Sequence, residues 1–322
     1  MIGMDLFWIY LGAIGALFWI FFITWPKPLA RAAQAFERHQ GHLRSKSEHI
    51  NGITWHYLEG GHGEPLVLLH GFNGDAYHFT RCARHLSQHF RIIAPDLPGF
   101  GETTAGIEVS HRIEDIAKRL LEWLDHHQIE QFYLGGNSMG GYISTAMARQ
   151  APSRVKALWL LAPGGIRSAP LSPVLQEVSE DRHNPLVVRN HADFERLMNY
   201  CFVNRPWAPT PLLRFLSARA AQTCQRSLRI FDAMLNDSAP LETIADRLDT
   251  PALIVWGQQD KVLDAGGGEI LCRLMPHSQL ILMPLIGHLP MLEAPRQTAE
   301  AWLAFTETLA RNCMVGKTEQ SA

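Results

Sequence analysis

"YLGGNSMGGY", residues 133–142, ends an apolar run on one serine set among four glycines, Gly135, Gly136, Gly140 and Gly141. A serine hydroxyl is a poor nucleophile until a base takes its proton, and attack on a carbonyl needs donors for the oxyanion that forms. The G-x-S-x-G spacing suits a sharp strand-to-helix turn, with "FYLGG" running as a strand into Ser138 and a helix starting at Met139. Gly136 and Gly140 leave room for that turn, and Gly141 lets the helix pack closely. A pattern this loose also arises by accident, and a purely structural glycine turn explains it equally well. The rest of the chain has to decide.

Around the turn, short β-rich runs alternate with helical patterns. Strands are predicted over 53–59, 65–70, 91–97, 131–136, 155–162, 252–257 and 279–284. In "RIEDIAKRLLEWLDHH" (112–127), Ile113, Ile116, Leu120 and Leu124 share one helical face. Near-continuous apolar strands separated by helices imply a mostly parallel sheet covered on both sides, with functional groups beyond the carboxyl ends of its strands. The alternation stops between about Ile166 and Thr250. That stretch is too long for a loop and reads as a helical cap.

Three further stretches bear on Ser138. In "LLHGFNGD" (68–75) a strand ends at His70-Gly71, and the loop after this strand supplies one oxyanion donor in enzymes with a serine elbow. The backbone N–H groups of Phe72 and Met139 are the expected pair. His70 reads as a loop anchor, and its H-x-x-x-x-D spacing to Asp75, a pattern of acyltransferases, is the less favoured account. In "WGQQDKV" (256–262) Asp260 follows a strand end, where a carboxylate can orient a histidine. Asp264 is the fallback, and Asp96 in "DLPGFG" reads as loop-shaping. In "GHLPMLEAP" (287–295) His288, one of 16 histidines, sits in a Gly-His turn past the last strand. The chain order is serine, aspartate, histidine. Val262 and Leu289, with Phe72 and Met139, are the expected substrate-lining residues.

These motifs, in this order and spacing, resemble the α/β-hydrolase family from about Ile50 to Arg311. Within it the chain is similar to membrane-anchored monoacylglycerol lipases and related bacterial lipases, which share the G-x-S-M-G-G elbow and "WG-x-QD-x-VLD". The resemblance implies an α/β-hydrolase fold with a helical cap insertion. It also implies a Ser138–Asp260–His288 triad that hydrolyses fatty-acyl esters through an acyl-enzyme. A carbon–carbon hydrolase of ring-cleavage diketones, an esterase of small soluble esters and a non-catalytic membrane-tethered ligand-binding protein are the alternatives. Against the first, "HGFNGD" replaces the "HG-x-G-P-G" loop usual there, and Leu289 rather than an aromatic residue follows the histidine.

Composition sets the remaining limits. The 322 residues carry a formal net charge of −2, with no basic run to suggest nucleic acid. The five cysteines are scattered, and the sequence shows no metal spacing, dinucleotide fingerprint or P-loop, so no metal and no cofactor is expected. From Leu6 to Pro26 no side chain is charged, about the 20 residues needed to cross a bilayer as a helix. A transmembrane anchor is therefore expected over 1–26, contacting the membrane through 6–26. The basic residues that follow place the catalytic part on the cytoplasmic side, of an inner membrane if the source is bacterial. The expected divisions are a polar connector (27–50), a core in two parts (51–165 and 251–312), the cap (166–250) and a polar tail (313–322). Oligomeric state is not legible.

Overall fold

The computed structural model describes residues 7, 8, 10–13, 15, 26–106, 109–180 and 184–319. Eight strands form one sheet: β1 (Leu43–Ile50), β2 (Ile53–Gly60), β3 (Glu64–Leu69), β4 (Phe90–Pro95), β5 (Phe132–Asn137), β6 (Val155–Leu161), β7 (Ala252–Gly257) and β8 (Ser278–Met283). Their order across the sheet is β1-β2-β4-β3-β5-β6-β7-β8. The β1–β2 and β2–β4 pairs are antiparallel, and every later pair, from β4–β3 to β7–β8, is parallel. All seven predicted strands are present. β1 is additional: "LRSKSEHI" has apolar side chains only at its two ends and lies within the expected polar connector, because an edge strand has little to bury.

The inner parallel strands β3, β5, β6 and β7 are largely apolar because both faces are covered, whereas the edge strand β8 is mostly part-buried or exposed. In β3, Val67 and Leu69 point to one apolar cluster and Leu66 and Leu68 to the other, all fully buried. The first face carries α3 (Ile113–His126) and α4 (Met139–Gln150). Ile113, Ile116, Leu120 and Leu124 of α3 are buried there on the predicted stripe. The opposite face carries α2 (Thr80–Leu86) and the C-terminal helix α12 (Pro295–Glu319), whose Trp302 stacks on Trp159 of β6 at 5.4 Å.

Between β6 and β7 the alternation gives way to α5 (Pro173–Ser179), α6 (His191–Cys201), α7 (Thr210–Gln222), α8 (Cys224–Asp232) and α9 (Leu241–Ala245). After β7 come α10 (Gly266–Leu274) and, beyond β8, α11 (Pro290–Glu293). At the N-terminal end α1 (Pro26–Gln40) packs on α2, α7 and β1.

The expected single-pass membrane placement is corrected here, and the cytoplasmic orientation drawn from it goes with it. Among the described residues no helix is long and apolar enough to cross a membrane. The described residues 7, 8, 10–13 and 15 are helical but too few to span a bilayer, and α1, from Pro26, carries Lys27, Arg31, Glu37 and Arg38. Most of residues 6–25 lie outside the described residues.

The Trp159–Trp302 stack ties α12 to the centre of the sheet with both indoles fully buried. Trp302→Ala should destabilise the protein by about 3–5 kcal/mol, the usual cost of emptying a buried aromatic site. Urea unfolding with an unchanged m-value checks this.

Candidate active site

The serine turn is held by backbone contacts. A Cβ on Gly140 would stand 2.1 Å from the Leu69 carbonyl oxygen, and one on Gly136 would stand 2.3 Å from the Gly140 carbonyl carbon. No side chain fits at either position, so α4 starts directly against β3 and β5. Ser138 between them is forced to φ 54°, ψ −118°, a conformation unfavourable for a residue with a side chain. The turn is secured at both ends of the residue. Ser138 N–H donates to Leu161 O at 3.0 Å, and Ser138 O accepts from Tyr142 N at 3.1 Å and Gly164 N at 2.9 Å. Ser138 thus heads α4, where the first N–H groups of a helix have no intrahelical acceptor.

Asp260 and His288 are brought into direct contact, with His288 Nδ1 2.8 Å from Asp260 Oδ2. The Asp260 side chain has no exposed surface. Its Oδ2 also accepts from the Trp256 indole at 3.0 Å, and its Oδ1 from Val262 N at 2.8 Å and Leu263 N at 3.0 Å. An acceptor so placed leaves the proton on Nδ1 of the neutral ring and exposes the lone pair of Nε2. His288 N–H donates to Cys201 O at 2.8 Å. His288 O accepts from the Asn137 side-chain amide at 3.1 Å, which ties the histidine turn to the residue before Ser138. Asp264, the fallback, caps Gly266 N at 2.8 Å instead.

His70 anchors the loop after β3: its Nδ1 lies 2.7 Å from Gly71 O, and its Nε2 accepts from Leu97 N at 2.9 Å. Burial holds its pKa below the ordinary value, so the ring is neutral. Asp75 caps the following turn by accepting from Tyr77 N. Phe72 and Met139 lie where the loop and the head of α4 put them, and among the described residues neither N–H has a backbone acceptor. The Phe72 ring packs edge-on against Phe100 at 5.6 Å and Phe231 of α8 at 5.8 Å. Val262 and Leu289 are buried beside Asp260 and His288 in sequence. Desolvation pushes His78 down to about 4, so it is a neutral neighbour near enough to His288 to feel its charge. Among the described residues no group of three or more His, Cys, Asp or Glu side chains is arranged to hold a metal ion.

A profile of the alpha/beta hydrolase fold matches residues 64–295. The chain belongs to the α/β-hydrolase family. Among similar members is "Lipase 1" of Psychrobacter immobilis, 32% identical over 279 residues, or 85% of this chain and 87% of that protein. Monoacylglycerol lipase ABHD6 of Mus musculus is 25% identical over 297 residues, 88% of each chain. The crystal structure of a membrane phospholipase A superposes with a TM-score of 0.86 at 31% identity, covering 96% of this chain and 99% of that one.

In this α/β-hydrolase several residues that sequence reading left without a role hold the site together. Asn137 and Trp256 bind the backbone of His288 and the carboxylate of Asp260, though their neighbours in "GNS" and "WGQQD" drew the attention. Asn73 bridges the loop after β3 to the inserted helices, donating to Leu186 O and accepting from Ser227 Oγ, both at 2.7 Å. Glu293 closes the other side. Its Oε2 accepts from Gly287 N at 2.9 Å, and its Oε1 from Val203 N at 3.1 Å and Asn204 N at 2.5 Å. A capping-type carboxylate shortly after the histidine was the available signal.

Glu293→Ala removes all three acceptor contacts at once. Amide exchange at Gly287, Val203 and Asn204 should accelerate at least about tenfold, since a hydrogen bond to a charged group is worth ~1.5 kcal/mol or more. Exchange in β5–β7 should not change. Hydrogen exchange read by mass spectrometry or NMR checks both.

Proposed function

We propose that this α/β-hydrolase cleaves carboxylic esters of fatty acids through an acyl-enzyme formed on Ser138. The observation that carries the reading is the buried Asp260–His288 pair, tied through Asn137 to a strained serine at the head of α4. The lipase names of the relatives support the substrate class. So does the apolar surface beside the histidine turn, where Val203 and Leu285 are 40% and 65% exposed. In this reading residues 166–250 act as a cap over a core of 51–165 and 251–312, and α8 bears on the site through Phe231.

In the proposed cycle His288 Nε2 takes the Ser138 proton as Oγ attacks the ester carbonyl carbon. Asp260 stabilises the resulting imidazolium, and the backbone N–H groups of Phe72 and Met139 receive the oxyanion. The imidazolium then protonates the departing alcohol. Water, deprotonated by His288, attacks the acyl-enzyme, and the tetrahedral adduct collapses to free fatty acid and Ser138. Phe72, Met139, Val262 and Leu289 are assigned to the acyl chain. Helix α4 adds the positive end of its dipole where the oxyanion develops.

Hydrolysis of monoacylglycerols and p-nitrophenyl esters of increasing acyl length, wild type beside Ser138→Ala, tests the proposal. Turnover should rise with chain length, and the variant should lose roughly 10⁶-fold, as when a triad serine is removed. Activity confined to short esters would reduce the reading to a general esterase. Equal activity in the variant would remove Ser138 from the chemistry.

A further inference from the structure

A second serine, histidine and aspartate meet on the far side of the sheet, at its antiparallel edge. Ser45 stands exposed in the middle of β1, and its Oγ lies 2.8 Å from Nε2 of His56. On the other side of that ring, His56 Nδ1 lies 2.7 Å from Oδ2 of Asp96. His56 and Asp96 are 2% and 1% exposed, so an accessible hydroxyl is backed by a buried imidazole and a buried carboxylate. This is the connectivity that activates a serine, with the base oriented by a third group.

The carboxylate is fixed much as Asp260 is. Asp96 Oδ1 accepts from Ala76 N, and Oδ2 accepts from Glu102 N, both at 2.7 Å. Burial alone would raise its pKa, but the His56 hydrogen bond and the Glu102 amide hold it below the ordinary carboxylate value. An ionised Asp96 at Nδ1 keeps the proton of the neutral ring there and turns the Nε2 lone pair to the Ser45 hydroxyl.

We propose that Ser45, His56 and Asp96 form a second activated-serine centre that reacts with activated acyl and phosphonyl electrophiles such as aryl esters and fluorophosphonates. With an aryl ester, Ser45 Oγ bonds to the carbonyl carbon, its proton passes to His56 Nε2, and the aryloxide leaves with its bonding pair. His56 then returns the proton to the aryloxide or to water, and an O-acyl serine remains. With a fluorophosphonate, phosphorus takes the place of the carbonyl carbon and fluoride leaves. Ser45 lies mid-strand, without the helix that follows Ser138, and the loss of one oxyanion donor typically costs about 10²–10³ in rate. The centre is therefore a slow acceptor of one acyl or phosphonyl group rather than a second turnover site.

His56 is a base only when neutral. Burial lowers its pKa, but the hydrogen bond and charge of Asp96, helped by Glu102 and Asp75, outweigh burial and leave it above 6.5. Reactivity at Ser45 should thus climb as pH rises through the raised pKa of His56.

The test treats the Ser138→Ala protein with an alkyl fluorophosphonate and quantifies modified peptides by mass spectrometry. Ser47, exposed and paired directly opposite His56 in register, is the internal control on the same strand. Ser45 should be modified roughly 10²-fold faster than Ser47, the lower range of general-base catalysis. His56→Gln should bring that ratio to about one. Equal rates at the two serines, or a Ser45 rate indifferent to His56→Gln, would overturn the proposal. Should that variant not fold, the Ser45/Ser47 ratio in Ser138→Ala between about pH 5.5 and 8.5 decides, since a histidine base titrates within that range. A flat ratio overturns the proposal as surely.

Discussion

The contact between Gly140 and the Leu69 carbonyl is the constraint on which the rest of the site depends. Backbone meets backbone there, with a hypothetical Cβ only 2.1 Å from the oxygen. Because α4 can start that close to β3, the chain must reverse within one residue, and Ser138 absorbs the reversal in a strained conformation. The strain persists because Leu161, Tyr142 and Gly164 secure both backbone groups of Ser138. Its side chain is consequently presented at the carboxyl end of β5, beside the loops that follow β3, β7 and β8. A looser turn would bury or misdirect the hydroxyl whatever base stood nearby.

The inserted helices act on these loops from two sides. Asn73, next to Phe72, is bound by Leu186 and Ser227 of the insertion. His288 is bound by Cys201 at the end of α6, while Glu293 joins Gly287 to Val203 and Asn204. The insertion therefore braces the histidine turn and the loop after β3 against each other. It does so largely through backbone groups, which any sequence supplies, with Asn73, Ser227 and Glu293 contributing side chains. The other side chains of the insertion are therefore not required to hold the loops that carry Phe72 and His288.

Much of this was legible in the sequence, and what was not has identifiable causes. The inner parallel strands announced themselves because each is buried on both faces, and β8 did so through the apolar run "LILM" although it lies at an edge. β1 did not, because "LRSKSEHI" pairs on one side only and shows no alternation. The uncharged stretch at 6–26 fitted a membrane span by length and composition, while among the described residues no helix is long and apolar enough to cross a membrane and α1, from Pro26, carries four charged side chains. In the candidate site the reactive residue types stood out by motif, and the structure brings Asp260 to His288 as the spacing suggested. Their supports were hidden. Asn137 reaches across 151 positions to the His288 carbonyl and Asn73 across 154 to Ser227, and no local pattern encodes a partner so remote.

The fold holds two buried histidine–carboxylate pairs of nearly equal length, His288–Asp260 at 2.8 Å and His56–Asp96 at 2.7 Å. The pair alone therefore does not define an active site. Each carboxylate accepts from two backbone N–H groups, so each fixes a ring orientation, and the surroundings of the far nitrogen make the difference. The His288 turn is tied to the residue before Ser138 and braced by the insertion, and the proposed cycle places the developing negative charge at the head of α4. At His56 the surroundings are an extended edge strand and solvent. The two proposals ask the same proton transfer of both rings. Under the proposed cycle only the first would meet a preorganised polar environment in the transition state, and such an environment usually supplies the larger part of the rate.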